Sequence, residues 1–118
     1  MHREIRFDAL GRTHALRFTY RAFYMLDDQH GYTVSALWRG LTTVSIKALA
    51  AGMLCGLEGA RVHDNTARTP YTLDDVFGIL QEVGHRRAAE LVAEAVNLGL
   101  ADPKGDAPPP APTAPSAP

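Results

Sequence analysis

Few side chains in this sequence are spaced for chemistry. The histidines are His2, His14, His30, His63 and His85, and no pair has the spacing by which a helix or a knuckle presents zinc ligands. His63-Asp64 has the composition of half a catalytic dyad. Its neighbours Asn65, Thr66, Thr69 and Pro70 make a solvated turn the simpler reading, and no Ser-centred nucleophile elbow accompanies it. Asp27-Asp28 and Asp74-Asp75 are paired carboxylates of the kind used in acid/base or metal chemistry. Behind Thr72, however, the second pair suits a helix N-terminus, and the first suits a solvent face. Cys55 lies in the most apolar stretch with no cation beside it to stabilise a thiolate, so it reads as core. Gly52, Gly56 and Gly59 lack the strand-turn-helix setting and the Lys-Ser/Thr pair of a phosphate loop. The expectation is a protein without enzymatic activity, with no catalytic, cofactor-binding or metal-ligating residue and no cofactor.

The elements that carry these residues are mostly helical. Ile5, Phe7 and Ala9 alternate with Arg6 and Asp8, Gly11-Arg12-Thr13 interrupts, and Leu16 and Phe18 alternate with Arg17 and Thr19. This predicts a β-hairpin within residues 3–19, apolar on one face, which must dock on the helices that follow because a lone hairpin is marginal in water. Phe23, Leu26 and His30, with Ala22 and Met25, predict a helix over 20–30 closed by Gly31. Thr33 or Ser35 caps a short helix over 34–40 that carries Leu37 and Trp38 and stops near Gly40. From 43 to 58 apolar residues point in nearly every direction around a helix, so that helix is central and buried. Its small residues, Ala48, Ala51, Gly52, Cys55, Gly56 and Gly59, recur every three or four positions and invite close approach of another backbone. Glu58 to Tyr71 loses periodicity and reads as a loop. Thr72 then caps a helix over 72–84 with Val76, Phe77, Leu80 and Val83 on one face. Gly84 breaks or bends it, and beyond Gly84 a stripe of Ala88, Leu91, Val92, Ala95 and Leu98 predicts helix over 86–99, either a second short helix or the continuation of one bent helix.

The expected architecture is α+β and mostly α: one globular domain over 1–101, a hairpin on a bundle of four to five short helices. Of the chain's 118 residues 46% are hydrophobic and 21% charged, with 12 Lys plus Arg against 13 Asp plus Glu. That balance suits a single soluble domain and argues against broad attraction to nucleic acid. Seven of the 8 prolines fall between Asp102 and Pro118, so residues 102–118 form an Ala/Pro-rich tail expected to be disordered with local polyproline II character. No apolar run is long enough for a membrane span, and a single cysteine excludes a disulfide framework; the cytoplasm is the expected compartment. Charge is uneven. Up to Arg21 there are five Arg against Glu4 and Asp8, whereas from Thr72 to Ala101 Arg86 and Arg87 stand against Asp74, Asp75, Glu82, Glu90 and Glu94. A basic hairpin and acidic C-terminal helices of different copies could pair head to tail, which predicts salt-sensitive self-association. Two helices around Gly84 also suggest a helix-turn-helix, but Glu90 and Glu94 on the second would repel phosphate.

The order of these segments resembles a known family. A hairpin ending Leu16-Arg17-Phe18-Thr19 leads into Arg21-Ala22-Phe23-Tyr24-Met25-Leu26-Asp27-Asp28 and then Ser35-Ala36-Leu37-Trp38. Ile46-Lys47-Ala48-Leu49-Ala50-Ala51-Gly52-Met53-Leu54, a loop, Tyr71-Thr72-Leu73-Asp74-Asp75-Val76 and Leu91-Val92-Ala93-Glu94-Ala95-Val96 follow. The pattern is similar to the small tail assembly chaperones of long-tailed bacteriophages and gene transfer agents. It covers nearly everything but the tail and rests on soft patterns in order, without a strict motif. The resemblance implies a non-enzymatic role in virion morphogenesis within the host cell cytoplasm. Such a protein binds the tape measure protein, keeps it soluble and helps tail tube subunits assemble around it. It also implies a longer product made by ribosomal frameshifting, for which Asp102-Pro103-Lys104 is the place to look. The alternatives are a structural tail tube component of the virion and a small helix-turn-helix DNA-binding protein.

Overall fold

A computed structural model of the chain describes residues 3–65 and 68–101. The expectations for the tail at 102–118, and any role of His2 or Thr66, lie outside the described residues. The chain folds as an antiparallel hairpin, β1 (Ile5–Ala9) and β2 (Arg12–Leu16), followed by α1 (Tyr20–His30), α2 (Val34–Thr42), α3 (Ile46–His63), α4 (Leu73–Val83) and α5 (His85–Leu100). The mostly α, α+β architecture expected from the sequence is what the chain adopts.

Local chemistry sets these boundaries. Leu10 and Gly11, both at positive φ (54° and 76°), make a two-residue turn that matches the twist of the paired strands, so Arg12 and Thr13 already lie in β2. The interruption expected at Gly11-Arg12-Thr13 is therefore shorter than its composition suggested. The hydroxyls of Thr19, Thr33, Ser45 and Thr72 each accept a backbone N–H at the start of α1, α2, α3 and α4. Gly31, at φ 75°, closes α1.

Three sequence expectations need correction. The central helix runs over 46–63, not 43–58: Ser45 starts it late, and the Glu58–Arg61 pair, one turn apart, carries it into the first part of the stretch expected to be a loop, which is irregular from Asp64 on among the described residues. The helix expected over 34–40 continues to Thr42, because Gly40 is buried against the Cβ of Ala48 as a point of close approach and is not a stop. In α4 the buried residues are Val76 and Ile79, with Leu80 and Val83 partly covered, while Phe77 stands half exposed on another side. The helices expected over 72–84 and 86–99 span 73–83 and 85–100, joined by the single residue Gly84 at φ 86°.

α3 is the axis of the fold, as its all-round apolar character predicts, and every other helix and β2 pack on it. Its small residues serve three neighbours. A Cβ on Gly52 would meet Val92 and Leu37; one on Gly56 would meet Leu16 and Phe18; one on Gly59 would collide with the carbonyl oxygen of Arg17. The strand leaving the hairpin thus lies directly on the helix backbone, and the Arg17 N–H donates to the Gly56 carbonyl at 3.0 Å.

Candidate functional site

The polar groups that sequence reasoning overlooked sit where β2 meets the end of α3. His14 shares the inward face of β2 with Leu16 and is 2% exposed. Its Nε2 lies 2.9 Å from the Ala9 carbonyl oxygen and its Nδ1 2.8 Å from the Tyr71 hydroxyl. A carbonyl can only accept, so Nε2 carries the proton and Nδ1 accepts from Tyr71. Burial pushes the His14 pKa down; the hydrogen bond to Ala9 opposes this and the Arg68 and Arg12 charges reinforce it. Burial likewise raises the Tyr71 hydroxyl, against the nearby Arg68.

Charge around this pair is organised by Glu58. Its carboxylate accepts from Arg61 Nε and Nη2 at 2.9 and 2.8 Å and from the Tyr71 backbone N–H at 2.8 Å. Burial alone would raise its pKa, but the hydrogen bonds and charge of Arg61, with the Tyr71 N–H, bring it below the usual carboxylate value. Arg68 stacks on the Tyr71 ring, 4.8 Å from its centroid. A cavity of about 360 Å³ beside these groups is lined by Arg6, Arg61, Arg68 and Asp64, among others. Arg6 already pairs with Glu4 at 2.7 Å and Arg61 with Glu58. Both ring nitrogens of His14 are spent inside the protein. The cluster is a latch that fastens the hairpin and the α3–α4 connection together, and no lone pair of His14 faces the cavity.

Of the histidine–aspartate pair, the paired carboxylates and the cysteine singled out in the sequence, Asp64 alone borders this cavity. His63 Nδ1 is 3.2 Å from Asp64 Oδ1, with both side chains nearly half exposed at the end of α3. Asp75 forms a capping box with Thr72, Asp74 is exposed beside it, and Asp27 and Asp28 face solvent late in α1. Cys55 is buried, and burial pushes its thiol up to about 12, so it stays protonated. Among the described residues no group of three or more His, Cys, Asp or Glu side chains is placed to hold a metal ion, and no helix is long and apolar enough to cross a membrane.

What the surface does offer is apolar. Ile46 and Ala50 on α3 face Leu73 and Phe77 on α4 across a groove of about 390 Å³, floored by Ala51 and bordered by Lys47 and His30. The spacing is i,i+4 on both helices, so each presents one continuous edge. Ile46, Leu73 and Phe77 are 56%, 46% and 48% exposed, whereas Ala50 and Ala51 are buried, which gives the groove apolar walls and a shallow floor. Just before α3, Val44 is 59% exposed and held at φ 62°, a conformation that a β-branched residue rarely adopts. The signal for the groove was present in the sequence as Ile46-x-x-x-Ala50 and Leu73-x-x-x-Phe77. Reading Phe77 as core hid it.

No family model matches this chain, and neither the curated proteins nor the solved structures include a significant match to it.

Proposed function

We propose that this chain is a non-enzymatic tail assembly chaperone of a bacteriophage or gene transfer agent, acting in the host cell cytoplasm. It binds the tape measure protein and assists assembly of the tail tube. The reading joins the order of sequence segments to one structural observation, the apolar groove between α3 and α4. A groove walled by apolar side chains from two helices accepts the apolar face of a third helix, and a tape measure protein offers long stretches of such helix. Ile46, Leu73 and Phe77 are each about half exposed, and covering what remains is worth about 1 kcal/mol apiece. That magnitude suits a partner that is held and then released.

Co-expression with a tape measure protein, to be sought as a long, helix-rich coding region immediately downstream of this chain's own, tests the proposal. The tape measure protein should be recovered in the soluble fraction with the wild-type chain and lost from it with Ile46→Asp/Phe77→Asp. Both positions are exposed, so the variant's own melting temperature should stay within a few degrees of wild type. A tape measure protein that is equally soluble without the chain would overturn the proposal. Recovery of the polypeptide from purified particles would favour the structural tail component instead. The helix-turn-helix alternative gains no support from the single-residue link at Gly84, since that motif uses a turn of about three to four residues.

A further inference from the structure

Two surfaces of this chain that the core leaves uncovered complement each other. On α1, Tyr20, Tyr24, Asp27 and Asp28 fall within an arc of about 100° at 3.6 residues per turn, opposite the buried Ala22 and Leu26 that fix the helix to the core. Tyr20 and Tyr24 are 85% and 69% exposed, and both aspartates face solvent beside them. Arg21, at the margin of the arc, lines a separate cavity with Met25 and Cys55.

The α3–α4 groove is the counterpart. Ile46, Leu73 and Phe77 wall it, and the polar side chains that border it are Lys47 and His30. Among the described residues Lys47, Asp27 and Asp28 take part in no ion pair, so the cation beside the groove and the carboxylates beside the tyrosines are both spare. Asp74 follows Leu73 on α4 but does not line the groove.

Shape and charge agree on how these surfaces meet. An i,i+4 aromatic pair on one helix fits a groove whose walls are spaced i,i+4 on two others, and a shallow groove suits tyrosine, whose ring is covered while its hydroxyl stays wet at the rim. The carboxylates continue the stripe one turn past Tyr24, where an ammonium and an imidazole ring can receive them. Like surfaces do not pair in this way. Two grooves face to face would oppose two Lys47 ammonium groups, and two α1 faces would oppose four carboxylates.

We infer that the α3–α4 groove of one chain receives the α1 face of a second copy, with Tyr20 and Tyr24 against Ile46, Leu73 and Phe77 and with Asp27 and Asp28 toward Lys47 and His30. The contact is heterologous, so each docked chain leaves its own groove open to the next copy. The two tyrosines cover about 300 Å² between them, well below the roughly 800 Å² per partner of a stable interface, which makes the contact weak and reversible. The groove holds one helix at a time, so the second copy competes with the partner helix proposed above, but the contact itself does not depend on the chaperone reading.

Sedimentation velocity on the full-length chain tests it. The wild type should self-associate at high protein concentration and low salt. Tyr20→Ser/Tyr24→Ser and Ile46→Asp/Phe77→Asp should each be monomeric alone, yet an equimolar mixture should form a heterodimer, because the first variant keeps its groove and the second keeps its tyrosine face. Lys47→Asp and Asp27→Lys/Asp28→Lys should likewise be monomeric apart and associate when mixed. All these positions are exposed, so each variant should keep the wild-type melting temperature. A wild type that stays monomeric at every concentration, or a mixture of the first two variants that does, would overturn the inference. Self-association that survives both of those variants but is lost with Arg12→Glu would move the interface to the hairpin and overturn it as well.

Discussion

His14 is neutral in the folded protein because its two nitrogens need opposite roles, donor to Ala9 and acceptor from Tyr71. Protonation would force Nδ1 to donate where it now accepts. The folded pKa lies below the ordinary value of 6.5, so above that value the ring is neutral in both states and contributes no pH dependence. Below it the unfolded chain takes up the proton first, and stability falls with pH by up to about 1.4 kcal/mol per unit until the folded pKa is reached. Thermal unfolding at pH 7.5, 6.5 and 5.5 should show this decline. His14→Gln should flatten it, since glutamine can still donate to Ala9 and accept from Tyr71 without titrating. Glu58 is lowered from an ordinary value of 4.5, so the stability it contributes is present above that pH and is lost only in more acid solution. Val44 is a second residue-scale case. Its left-handed backbone costs about 1 to 2 kcal/mol for an ordinary side chain. Asparagine tolerates that region, so Val44→Asn should gain about 1 kcal/mol in chemical denaturation; a loss would show that the exposed valine makes a contact of its own.

At the scale of the element, glycine in α3 and α5 reverses its usual energetics. Gly to Ala in a helix interior ordinarily gains about 1 kcal/mol. At Gly59 and Gly99 the new methyl would strike a backbone carbonyl, of Arg17 and of Phe18, neither of which can swing aside as a side chain would. Gly59→Ala and Gly99→Ala should each destabilise by about 1 to 3 kcal/mol, as overpacked sites do. Urea titrations read the sign directly. Both contacts fix the segment Leu16 to Thr19, so these substitutions test whether the path from hairpin to α1 is set by helix backbones.

For the whole molecule, the charge asymmetry between the two ends is partly resolved within one chain. Arg3 caps the end of α5, and the Leu10 N–H donates to Glu82 on α4 at 3.1 Å. Arg12 and Arg21 toward one end, and Asp74 and Glu94 toward the other, remain exposed for contact between copies. Weak self-association at low ionic strength, abolished by several hundred millimolar salt, is the expected sedimentation result; a monomer at every salt and protein concentration would count against head-to-tail pairing.

Reading the residues in order was enough for the hairpin, the five helices and the central place of α3, because alternation, helical periodicity and caps such as Thr72 are encoded within a few residues of where they act. The small-residue stripe on α3 was legible for the same reason, though not which backbone would fill it. Three features were decided only when distant segments met. His14 became buried because β2 turned it with Leu16 toward α3, and its acceptor lone pair found Tyr71, 57 positions away. Gly40 was taken into a contact with Ala48 where an isolated helix would have ended. Phe77 was left outside because α4 settled on Val76 and Ile79, a rotation that sequence periodicity cannot distinguish when apolar residues flank the stripe on both sides. Local propensity dictates which residues form a helix; which side of it meets water depends on the neighbours it finds.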